Sequence, residues 1–187
     1  MCLTVVGGCG GGPAAGSGSG SPAPVVTVRR LVQRDSVLVL EAWGTLAQDT
    51  SLMVPVDQRR VVILRHGAPD NTMFAEVSFP VGTFDAPDVD SVRVNLVARP
   101  GIYGLDITAD VPIGPGAELV FKYPLHFSSP AGALERYGTD AAFEQVLFIG
   151  RLLDDGRVAV LESTRPASDN LRAVLPTGGT YVVAGPR

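Results

Sequence analysis

His66 and His126 are the only imidazoles in the chain. His66 closes the apolar run Val61–Leu64, and His126 lies within Tyr123-Pro124-Leu125-His126-Phe127. No spacing joins the two into a metal or acid–base pair, so each reads as a capped or surface position at a strand end. Asp85, Asp88 and Asp90, in the stretch FDAPDVD, offer hard oxygen atoms. Calcium takes about six to eight oxygens, and a dedicated loop brings glycine and a bidentate glutamate. Neither is present here, and the stretch reads as a solvated acidic loop. Glu41, Glu76, Glu118 and Glu162 fall on predicted strands. A glycosidase would need two of them to face one cleft, which sequence does not settle. In Gly16-Ser17-Gly18-Ser19-Gly20 neither serine has glycine two residues away on both sides, so there is no nucleophile elbow. No Lys-Ser/Thr follows these glycines either, as a phosphate loop requires. These residues assign no catalytic, cofactor-binding or metal-ligating position, and no cofactor is expected.

The elements that would have to position any such group are strands. Gln145–Thr164 (QVLFIGRLLDDGRVAVLEST) sets Val146, Phe148 and Leu152 on one face against Leu147, Ile149 and Leu153 on the other. It breaks at Asp154-Asp155-Gly156 and resumes as Arg157–Leu161. Asp-Gly between two β-branched runs predicts a hairpin with a tight primed turn, and two apolar faces place it inside a sheet with material packed on each side. Further strands are predicted over Val25–Gln33, Ser36–Leu46, Arg60–His66, Met73–Phe79, Ser91–Arg99, Tyr103–Val111, Glu118–Phe127, Leu171–Leu175 and Thr180–Ala184. Turn chemistry such as Gly67–Asn71 and Pro112–Gly116 separates them at the roughly 8–12-residue intervals of a sandwich or barrel. One short helix is predicted near 130–138, with Ser129 as cap, Pro130 at its first position and Gly138 closing it. Thr139–Phe143 adds a further turn. The expected fold is an all-β antiparallel sandwich, with this helix and a C-terminal hairpin extension.

With 187 residues, 45% of them hydrophobic and 18% charged, the chain has room for one domain with a real core. Net charge is −4, Lys122 is the sole lysine and no basic run occurs, which argues against nucleic acid as a partner. No apolar run approaches the roughly 20 residues of a spanning helix. Gly, Ser, Pro and Ala dominate residues 7–24, a composition that cannot repay its ordering entropy. The expected division is a flexible tail over 1–24 and a sandwich over 25–187, or a sandwich over 25–127 with an extension over 128–187. Cys2 and Cys9, the only cysteines, both lie in the tail, so the body has neither a disulfide framework nor a CxxC metal pair.

Two resemblances add to this. Val6-Gly7-Gly8-Cys9, followed by a Gly/Ser/Pro tether, resembles the processing site of bacterial lipoproteins. The resemblance implies lipid attachment at Cys9, membrane anchoring through the N-terminus and an extracytoplasmic location, periplasmic or at the cell surface. It also implies a start upstream of Met1, because a signal sequence carries a basic segment and about 7–15 apolar residues and only Cys2–Val6 precede the box. Gly101-Ile102-Tyr103 and Gly179-Thr180-Tyr181 resemble the tyrosine corner of immunoglobulin-like sandwiches. The antibody-type Cys…Trp…Cys pattern is missing, so the broader Ig-like or fibronectin-like class is implied.

Three functional classes follow. The first is a non-catalytic, membrane-tethered structural or interaction subunit of a larger protein complex. The second is a binding module for a small ligand or glycan, which usually displays exposed aromatics; aromatics make up only 6% here. The third is a hydrolase on a jelly-roll or sandwich scaffold.

Overall fold

The computed structural model describes residues 25–86, 88–123 and 127–187. In chain order the elements are β1 (Val28–Gln33), a 3-10 turn (Arg34–Ser36), β2 (Val37–Val39), β3 (Glu41–Ala42), β4 (Thr50–Pro55), β5 (Arg60–Arg65), β6 (Met73–Phe79), β7 (Ser91–Ala98), β8 (Gly104–Ala109) and β9 (Glu118–Lys122). Then come β10 (Phe127–Ser128), α1 (Ala131–Tyr137), α2 (Asp140–Glu144), β11 (Phe148–Leu152), β12 (Arg157–Leu161), β13 (Ser163–Thr164), β14 (Asn170–Val174) and β15 (Gly179–Pro186). The protein is an all-β antiparallel sandwich with two short helices. One sheet runs β1-β12-β11-β15-β8-β7-β4, with β2 also paired to β15; the other runs β13-β14-β9-β6-β5. β3 and β10 form a separate pair.

Strand alternation explains the main core. Register sets Leu52, Val94 and Ala109 in line across β4, β7 and β8, and sets Val62, Val77, Leu119 and Ala173 in line across the opposite sheet. These inward rows meet in one apolar cluster. At its centre Phe74 stacks on Tyr103 at 5.4 Å and meets Phe121 edge-on at 5.7 Å.

The hairpin over 145–164 lies within the first sheet, as its two apolar faces require. Leu147, Ile149 and Leu161 join the main core, while Phe148, Val158 and Val160 build a second cluster on the outer face with Val37, Val39 and Val182. That outer cluster exists because β1 sits on the free edge of β12 while β2, three residues on, pairs with β15 beyond β11. The stretch 28–39 thus crosses the sheet instead of turning back along it. The hairpin turn differs from the primed type expected. Gly156 N–H closes Leu153–Gly156 on the Leu153 carbonyl, and only Gly156 adopts positive φ (79°), so the loop is the bulged three-residue kind. Asp155 instead fixes the turn from outside, accepting from the Arg157 N–H at 3.0 Å.

Other boundaries shift for identifiable reasons. The expected strand 36–46 ends at Ala42, and Trp43–Leu46 leave the sheet. β4 was not predicted, being an edge strand of six residues that ends in proline. Ser129 does not cap α1: Pro130 occupies the cap position, and the buried Ser129 hydroxyl has no partner among the described residues. Gly138 does close that helix, donating to the Leu134 carbonyl at 2.8 Å. The extra turn at Thr139 is α2, capped by the Thr139 hydroxyl accepting from Ala142 N–H at 3.2 Å. The last sixty residues are woven into both layers. β15 lies between β11 and β8, and β14 lies between β13 and β9, so a cut after residue 127 would open both sheets.

Candidate functional site

Cys9 and His126 lie outside the described residues. His66 is buried at the end of β5, where an isolated bridge joins it to Ala47 and Nδ1 lies 2.7 Å from the Thr45 carbonyl. It therefore pins a loop. Asp85, Asp88 and Asp90 are all exposed, and among the described residues no three acidic, His or Cys side chains converge as a metal site would require. Asp154 and Asp155 belong to the hairpin turn. The strand glutamates are dispersed. Glu162 pairs with Arg29, Glu118 with Arg172, and Glu41 accepts from the Ser128 hydroxyl. Glu76 shares the outer face of its sheet with Glu118 at a diagonal position across β6 and β9. A sheet face is not a cleft, and the register brings no other two of the four together.

The two tyrosines marked by Gly-x-Tyr fall where strands enter the core. Tyr181 donates its hydroxyl hydrogen to the Thr177 carbonyl, four residues upstream. Tyr103 is fully buried on Phe74. Burial raises both phenols: Tyr181 reaches about 12, opposed by Arg151 and the bond to Thr177, and Tyr103 is pushed further up with help from Asp70. A folded-state value above the unfolded one favours the neutral phenol in the native state. The associated stability is complete below about pH 10 and is lost as pH rises through the folded value, about 12 for Tyr181. A spectroscopic alkaline titration should therefore find phenolate absorbance from Tyr103 and Tyr181 appearing together with loss of native circular dichroism. Ionisation of both on an intact fold would refute the burial argument.

A fixed aromatic ring stands beside a small pocket at the sole tryptophan. After β3 the chain is held by Ala42 N–H donating to the Gly101 carbonyl at 3.0 Å, and after Leu46 by Gly67 N–H donating to the Leu46 carbonyl at 3.1 Å. Between these clamps the loop projects Trp43, which is 57% exposed, with Leu46 beside it also exposed. The indole N–H donates to the Phe127 carbonyl at 3.0 Å, which fixes the ring's orientation without burying it. Beneath it a pocket of about 150 Å³ is lined by Thr45, Ala47, His66, Phe74 and Pro100. Cofactor and drug-sized sites occupy about 300–1,000 Å³, so this one has room for a single apolar side chain. Sequence reading gave Trp43 no role because alternation carried it into the strand. The Gly44 that follows, with φ 84°, was the available sign that the strand stops there. No protein-family model, curated protein or solved structure matches the chain.

Proposed function

We propose that this protein is a non-catalytic, extracytoplasmic interaction subunit, tethered to a membrane through Cys9 and docked on a protein partner through the Trp43 surface. The observation that carries the docking surface is the pairing of a fixed, exposed indole with a pocket sized for one side chain. Tryptophan is enriched among the few residues that dominate binding energy, and it acts best beside a pocket that excludes water. A held indole also loses little conformational freedom on binding. The surroundings favour a protein over a glycan. Leu46, Ala47, Phe74 and Pro100 make the pocket beside the indole mostly apolar, with Thr45 and His66 as its polar side chains, and a sugar would need a fuller set of polar groups at the ring's edge. The tether is supported by the Val6–Cys9 box and by a glycine- and serine-rich run of about fifteen residues, which raises the local concentration near the membrane so that a small surface suffices.

Two measurements test the two halves separately. Mass spectrometry of the mature N-terminus should find a diacylglyceryl adduct on Cys9, and a free Met1 would end the tether. For docking, a photo-crosslinking residue at the exposed Leu46 position, with Trp43 kept, should capture one discrete partner in native membranes, while the same probe at Arg93 should not. Trp43→Ala is expected to weaken that complex by at least about 30-fold, the hot-spot scale of 2 kcal/mol, with a melting temperature within about 2 °C of the parent, as for an exposed site. Protein that purifies alone from mild detergent and stays soluble after delipidation would defeat the reading.

A further inference from the structure

A second concavity, of about 700 Å³, opens beside β1 and carries three guanidinium groups, those of Arg29, Arg30 and Arg165. Adjacent strand residues normally face opposite sides of a sheet. Here the register against β12 shifts between Val28 and Arg30, a bulge that breaks the alternation and lets Arg29 and Arg30 line one cleft. Bulges commonly re-aim side chains in this way next to functional sites.

The partners of these arginines leave binding capacity open. Arg165 is anchored by donating to the Tyr123 hydroxyl and the Glu144 carbonyl, which fixes it in the cleft wall, with the Glu144 carboxylate also near it. Arg29 pairs with Glu162 at 3.0 Å, but their side chains are 59% and 49% exposed, so water screens the pair and a ligand can replace it. Arg30 is exposed and has no acidic partner among the described residues. Three guanidiniums thus face two carboxylates in a chain whose net charge is −4. All three are arginine, whose planar fork matches tetrahedral and planar oxyanions with paired hydrogen bonds. Val146 and Leu147 supply an apolar wall next to this charge.

We propose that this cleft binds a phosphate ester, its phosphoryl oxygens held by Arg29 and Arg30 and its apolar end laid along Val146 and Leu147. The inference stands on the cleft alone and is independent of the tether and of the Trp43 surface. A soluble metabolite and a phospholipid headgroup share this chemistry, and the experiment separates them.

Isothermal titration of the 187-residue chain with octyl phosphate below its micelle concentration, and with glycerol 3-phosphate, covers the soluble source. Sedimentation with vesicles of phosphatidylcholine and phosphatidylglycerol covers the lipid source. Saturable binding is expected, reduced at least tenfold in the Arg29→Gln/Arg30→Gln double variant at an unchanged melting temperature. Binding of the soluble esters assigns a soluble ligand; arginine-dependent binding of vesicles alone assigns a headgroup. Arg93→Gln, which removes one positive charge from the exposed face of β7, should leave binding intact. Absence of binding to all three probes, equal binding by the double variant, or an equal loss in Arg93→Gln would each overturn the proposal.

Discussion

Replacing Phe74 with alanine is expected to cost about 3–5 kcal/mol, the range for emptying a large aromatic site in a packed core. The ring is almost fully buried, stacks on Tyr103, and takes edge contacts with Phe121 and with His66 at 5.4 Å. Each aromatic pair adds about 0.5–1.5 kcal/mol beyond the area it buries, so losing three at once places the loss in the upper part of that range. Domains of this class are stable by about 5–15 kcal/mol, so the variant should survive with a much lowered urea midpoint and a melting temperature down by roughly 6–20 °C. Phe74→Leu keeps most of the volume but gives up the same three ring pairs, so it should lose about 2–3 kcal/mol, less than the alanine. The two variants differ at the pocket floor as well, since the alanine deepens the cavity under Trp43. A measured loss below about 1 kcal/mol for the alanine would mean that the three rings close over the gap, and that the cluster is not the centre of the core.

The second large effect comes from adding a methyl group. A Cβ on Gly185 would collide with Cε2 of Phe143 and lie 3.1 and 3.2 Å from Cζ and Cδ2 of the same ring. Gly185 does not hold positive φ, so the backbone accepts alanine and the whole penalty is steric. Phe143 cannot step aside. Its ring is fully buried against β15, with the Tyr137 ring 5.5 Å away. Overpacking of this kind costs about 1–3 kcal/mol, and Gly185→Ala should fall toward the upper end. A double-mutant cycle isolates the cause. In a Phe143→Leu background the same alanine should cost less than about 0.5 kcal/mol, giving a coupling energy well above the roughly 0.5 kcal/mol expected of independent sites. An unchanged penalty in that background would show that some contact other than the ring is responsible.

Both effects bear on function through rigidity. Phe74 supports the loop that presents Trp43, and Phe143 anchors α2, whose Glu144 carbonyl holds Arg165 in the wall of the arginine cleft. Partial losses at either core position should therefore weaken the neighbouring surface before the fold gives way.

What the sequence determined by itself is local. Alternation over 145–161 was enough to place a hairpin with two apolar faces inside a sheet, because side chains on a strand point to opposite sides whatever lies across from them. Gly138 marked the end of the first helix for an equally local reason, its positive φ. Only the tertiary structure decided which strands are neighbours. Arg29 meets Glu162 across 133 positions, Trp43 meets Phe127 across 84, and the stretch 28–39 divides its pairing between β12 and β15. Valine faces are interchangeable as partners, so periodicity cannot select among them. Selection comes from closing both apolar clusters at once, while Trp43 leaves its strand at Gly44 and the bulge at Arg29 brings two adjacent arginines to one cleft.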